Sequence, residues 1–108
     1  MNTITREELK LKLESNENVR LLMCMSEEAF KLKHIRGSVC FDINGSQQCS
    51  CNADDEIIVY CSGEECIFST NAYNFLTEHG YKKVYHYAGG LADWEKTGYP
   101  LEGNLINT

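Results

Sequence analysis

The stretch EIIVYCSGEEC, residues 56–66, decides how this chain is read. Its first half is β-branched and apolar, the composition of a strand buried on both faces. Its second half is a short turn that carries two cysteines and two glutamates. From its last residue onward, CIFSTNAYNFLTEHG (66–80) reads as a helix with Phe68, Ala72, Phe75 and Leu76 on one face and Gly80 as its stop. A thiol at such a strand-to-helix turn occupies a common place for a nucleophile. The carboxylates beside it oppose a thiolate, because like charge raises a thiol pKa.

Outward from this stretch, the same grammar repeats. Upstream, TREELKLKLES opens with a capping box, in which Thr5 and Glu8 satisfy each other's backbone N–H groups. Leu9, Leu11 and Leu13 alternate as in a strand, but the cap and the strong helix formers favour a helix. VRLLMCM is a short apolar run and is predicted to be a buried strand. Ser26 is placed to cap EEAFKLKH, whose Glu27 and Glu28 suit the positive end of a helix. GSVCFD reads as a further strand, and INGSQQCSCNADD as a polar loop. Downstream, KKVYHY reads as a strand, AGG as a turn, and LADWEKTG as a short helix closed by Gly98 and Pro100. Strands alternating with helices predict a parallel sheet covered on both faces. Ligands of such sheets sit beyond the carboxyl ends of the strands, where Cys61 lies.

Composition narrows the function classes. The chain has 108 residues and one proline, Pro100, and is expected to form a single domain over 1–108. Its formal net charge is −6, with Lys and Arg scattered rather than clustered. Nucleic acid and anionic membrane surfaces are therefore not expected as partners. No apolar run approaches the ~20 residues of a membrane span. MNTITREEL has neither the basic start nor the apolar core of an export signal, so a cytoplasmic protein with mostly reduced thiols is expected.

The pieces HIRGSV (34–39), EIIVYC (56–61) and GYKKVYHYAGGLADWEKTGYPLEG (80–103), with the spacing between them, resemble the rhodanese-like sulfurtransferase family. The resemblance extends over nearly the whole chain. It implies an α/β domain with a five-stranded parallel sheet and helices on both faces. It further implies that Cys61 is the nucleophile and carries a sulfane sulfur as a persulfide, which it passes to a thiol acceptor. The loop Ser62, Gly63, Glu64, Glu65, Cys66 would wrap that sulfur in backbone N–H groups, with Ser62 and Ser69 as candidate side-chain donors. Such donors stabilise an anionic sulfur. The partners implied are a sulfur donor and a thiol acceptor, small molecule or protein, with no cofactor and no metal.

Three departures from the family pattern matter. Met23 and Met25 stand where the family has an Asp and an Arg, and Glu64, Glu65 and Cys66 stand where it often has Arg or Lys. The spacing from Cys61 to Gly80 is about two residues longer than in common single-domain members. These changes argue against thiosulfate as the donor. Cys66 reads either as a thiol that resolves Cys61 or as a residue packed at the start of the helix. The alternative function is a non-catalytic rhodanese-like module that binds a partner or senses redox state through Cys61 and Cys66. Cys40, Cys49 and Cys51 lack the spacing of a soft-metal site, and Cys24 reads as core. His34 and His79 read as structural, His86 as either structural or functional. Trp94 reads as packing.

Overall fold

A computed structural model of the chain describes residues 2–15, 19–25, 27–41, 54–63 and 67–104. Helix α1 (Arg6–Ser15) begins at the expected capping box. Thr5 Oγ1 accepts the Glu8 N–H at 3.2 Å, and Glu8 Oε1 accepts the Thr5 N–H at 3.3 Å. Only Leu9 of α1 is buried, while Leu11 is 67% exposed, so the leucine alternation does not produce a strand. Strand β1 (Val19–Met23), helix α2 (Glu27–Leu32), strand β2 (His34–Ile35) and strand β3 (Val39–Cys40) follow. Strand β4 (Glu56–Tyr60) leads toward helix α3 (Phe68–Glu78), strand β5 (Lys83–Tyr87), helix α4 (Gly90–Lys96) and strand β6 (Leu101–Glu102). Of the expected loop over residues 43–55, residues 43–53 lie outside the described residues, as does the Ser26 cap.

Among the described residues, the main sheet has four strands in the order β3-β1-β4-β5, every pairing parallel. Beyond β5, a parallel bridge between Thr3 and His86 extends the edge. Among the described residues, the five strands implied by the resemblance are represented by four and a single bridge, because the segment before α1 pairs through one residue only. A second, antiparallel pair, β2 with β6, was not anticipated. It aligns His34 with Glu102 and Ile35 with Leu101.

Both faces of the sheet are covered. Leu21, Met23, Ile58, Tyr60 and Tyr87 face one core with Leu9 of α1 and Leu91 and Trp94 of α4. Leu22, Ile57, Val59 and Val84 face the other with Ala72 and Leu76 of α3. Central β4 is buried along Ile57–Tyr60, which explains its unbroken apolar run. The face that α3 buries is Ser69, Ala72 and Leu76 rather than the expected Phe68, Ala72, Phe75 and Leu76. Phe68 is 47% exposed and Phe75 packs its ring on Phe41 and His79 at the margin. A serine in place of a large side chain lets the first turn of α3 approach the sheet closely. No helix among the described residues is long and apolar enough to cross a membrane.

Candidate active site at the carboxyl end of the sheet

Parallel pairing brings the carboxyl ends of β1, β4 and β5 to one edge. Met23, Tyr60 and Tyr87 stand side by side in register there. Cys61 is the next residue after Tyr60, in the middle of that edge, and is 1% exposed. Cys24 follows Met23 on one side, its N–H donating to the Tyr60 carbonyl at 2.8 Å. The Cys24 thiol meets the Leu22 carbonyl at 3.6 Å, and burial pushes its pKa up to about 12. It is an inert core thiol, as the sequence implies.

The backbone after β4 is held by α4. The Cys61 carbonyl accepts the Leu91 N–H at 2.8 Å, and the Ser62 carbonyl accepts the Ala92 N–H at 2.9 Å. Gly90 makes this possible. Its φ is +65°, and a Cβ placed there would lie 2.6 Å from the Cys61 oxygen and 2.9 Å from the Gly63 nitrogen. Only glycine tolerates both that backbone conformation and that approach. The AGG turn is thus the seat of the Cys61 loop, a role that the sequence reading did not assign to it.

On the other side of the edge, Ser69 and His86 form a buried pair, Oγ to Nε2 at 2.8 Å. Desolvation lowers the His86 pKa, so the ring is held neutral. The His86 backbone is fixed too, its N–H donating to the Asn2 carbonyl at 2.7 Å and its carbonyl accepting from Ile4 at 3.1 Å. His34 and His79 are structural. His34 stacks on Phe30 and its Nδ1 meets the Phe30 carbonyl at 2.7 Å. His79 caps the carboxyl end of α3, with Nδ1 2.7 Å from the Phe75 carbonyl. Trp94 is packing, its indole N–H donating to the Pro100 carbonyl at 2.9 Å.

The sequence-predicted site residues divide as follows. Cys61 and Gly63 lie against the first turn of α4, Ser62 is exposed, and Ser69 is buried against His86. Glu64, Glu65 and Cys66 lie outside the described residues, as do Cys49 and Cys51. Cys24 and Cys40 are not disulfide-bonded, whereas Cys61 is. Neither Cys24 nor Cys40 is its partner. Among the described residues, no three metal-ligating side chains converge.

A parallel α/β sheet with a cysteine at the carboxyl end of its central strand, seated on a double-glycine turn, defines a class of thiol-bearing domain. Comparison with known proteins specifies that class. A model of the rhodanese-like domain matches residues 5–97, and the chain belongs to that family. The thiosulfate sulfurtransferase GlpE of Actinobacillus succinogenes is 32% identical over 88 residues, covering 80% of this chain and 78% of that protein. GlpE of Actinobacillus pleuropneumoniae is 37% identical over 49 residues, which span 45% of this chain and 44% of that relative. The solution structure of the rhodanese-like domain of Alr3790 from Anabaena superposes with a TM-score of 0.81 at 28% identity, covering 97% of this chain and 81% of that one. The fold is therefore rhodanese-like.

Proposed function

We propose that this chain is a sulfurtransferase in which Cys61 carries a sulfane sulfur as a persulfide. The reading rests on one observation above the others: Cys61 directly follows the central strand, and its own carbonyl and that of Ser62 are bonded to α4. A residue held in this way presents its sulfur in a fixed place from one catalytic cycle to the next. The Cys61 thiolate attacks the outer sulfur of a persulfide donor, forming Cys61–S–SH and releasing the donor thiolate. An acceptor thiolate then takes that sulfur, and the Cys61 thiolate returns. No external oxidant or reductant is consumed. In this reading the loop from Ser62 to Cys66 would supply backbone N–H donors, with Ser62 and Ser69 as side-chain donors. The domain 1–108 acts in the cytoplasm on a donor and a thiol acceptor, and the carrier form requires reduced Cys61.

Thiosulfate is a poor donor in this reading. The relatives named above carry thiosulfate in their names, but residues 61–69 here hold Glu64 and Glu65 and no Lys or Arg. A carboxylate within ~4–6 Å of a doubly charged anion costs on the order of 1 kcal/mol or more at a partly shielded site. The test is intact mass after reduction and mixing with a low-molecular-weight persulfide or with thiosulfate, in the parent and in Cys61→Ser. We expect a cyanide-labile gain of one sulfur from the persulfide, little from thiosulfate, and none in Cys61→Ser. Equal sulfur uptake by Cys61→Ser would refute the carrier assignment.

A second reading is favoured by the disulfide at Cys61. In it the domain is a non-catalytic module that senses redox state through Cys61 and Cys66. The same pair also serves the carrier if the Cys66 thiolate attacks the Cys61 persulfide, forming a 61–66 disulfide and releasing hydrosulfide. Peptide mapping after mild oxidation, with Cys66→Ser as control, separates these roles from simple packing. Retained sulfur in the persulfide experiment favours the carrier.

A further inference from the structure

The side chain of Asp93, on α4, joins three elements of the fold. Its Oδ2 accepts the Tyr87 hydroxyl at 2.6 Å, and its Oδ1 accepts from the Arg6 guanidinium at 2.9 Å. The same carboxylate closes over the turn before the helix, since a Cβ on Gly89 would lie 2.8 Å from Oδ2. Tyr87 ends β5 beside Tyr60, the residue that precedes Cys61. Arg6 begins α1. One carboxylate therefore fixes the first turn of α4 relative to both the sheet edge and α1. That turn carries the two amides bonded to the Cys61 and Ser62 carbonyls.

We propose that Asp93 is a positioning residue for the thiol loop, holding α4 against Cys61 through its bonds to Tyr87 and Arg6. The inference rests on the reading of Cys61 as the reacting thiol. Peptide units are planar, so fixing the carbonyls of Cys61 and Ser62 also fixes the direction of the Ser62 and Gly63 N–H groups. Those groups are the nearest backbone donors to the Cys61 sulfur along the chain. Loss of the clamp lets them turn away, and the thiolate loses stabilisation. Tyr87 is almost wholly buried, and burial together with the Asp93 carboxylate raises its pKa, so its hydroxyl remains a donor throughout the neutral range. Arg6 is likewise held charged by Asp93. Neither Tyr87 nor Arg6 changes protonation in the neutral range, so a change in Cys61 behaviour there on breaking the clamp reports position.

The experiment compares reduced parent protein with Asp93→Ala and with the milder Tyr87→Phe, which removes only the hydroxyl. Iodoacetamide labelling of Cys61 is followed against pH by peptide mass, and amide exchange is read at Leu91 and Ala92. Circular dichroism and continued protection of Cys24 report that the fold is kept. We expect faster exchange at both amides and an upward shift of about half a pH unit in the Cys61 profile, about threefold in thiolate at neutral pH. A merely structural clamp would lower the melting temperature and leave the profile in place. Cys61 profiles that are unmoved or moved downward in both folded variants, or amides that exchange as in the parent, overturn the proposal. A Cys61 inert to the reagent in the reduced parent overturns the reading beneath it as well. Sulfur loading is not read here, so the two failures are told apart.

Discussion

Replacing Gly90 with alanine is the sharpest probe of how the thiol is held. Two costs add at this position. The φ of +65° places a non-glycine residue in the left-handed region, about 1–2 kcal/mol for alanine. The new Cβ would then lie 2.6 Å from the Cys61 oxygen and 2.9 Å from the Gly63 nitrogen. Non-bonded heavy atoms settle near ~3.5 Å, and both neighbours are backbone, which cannot swing aside as a side chain would. The helix or the loop must shift, weakening the hydrogen bonds from Leu91 and Ala92, each about 1 kcal/mol net. The expected loss is therefore about 2–4 kcal/mol, tolerable for a domain with ~5–15 kcal/mol of stability. Gly80→Ala is the matched control. Its φ is +91° with nothing within 4 Å of the added Cβ, so it bears only the conformational cost. Urea unfolding gives the stabilities, and iodoacetamide labelling of the reduced, folded proteins gives Cys61 reactivity. We expect Gly90→Ala to be the less stable of the two and the only one with altered Cys61 labelling. Equal stability losses, with Cys61 labelled at the parent rate in both, would refute the reasoning.

Tyr60→Phe removes a buried hydroxyl that accepts the Ile35 N–H at 3.0 Å and lies 2.9 Å from Ser38 Oγ. The orphaned Ile35 N–H is expected to cost about 1–3 kcal/mol in chemical unfolding, and a loss no larger than that of an exposed substitution would contradict it. His86 is held neutral by burial, so its folded pKa lies below the unfolded value near ~6.5. The unfolded state then binds the proton first, and stability is fully present above that value and is lost as pH falls through it. His86→Gln is expected to flatten this part of the pH–stability curve, and an unchanged slope would show that another group sets it.

Much of the fold is legible locally. The Thr5–Glu8 box starts α1, the run Glu56–Tyr60 makes a strand buried on both faces, and Gly80 and Gly98 follow the ends of α3 and α4. Each of these features is written within a few residues, because caps and strand periodicity depend on near neighbours. The order of elements, and with it a parallel sheet that ends at Cys61, follows from the same local signals. What the sequence could not express was any contact between distant segments. β2 and β6 are two residues each, too short to show alternation, and exist only because residues 34–35 and 101–102 meet. The buried face of α3 turned on Ser69 reaching His86, so two phenylalanines that suggested core lie at its edge. Gly89 and Gly90 read as an ordinary turn until Cys61, 29 positions before Gly90 in the chain, was found against it. Asp93 showed only as a charge on a short helix until Arg6 and Tyr87 converged on its carboxylate. Local propensity determined which elements form and where the thiol falls; the packing of α1 and α4 onto the sheet edge decided what holds it.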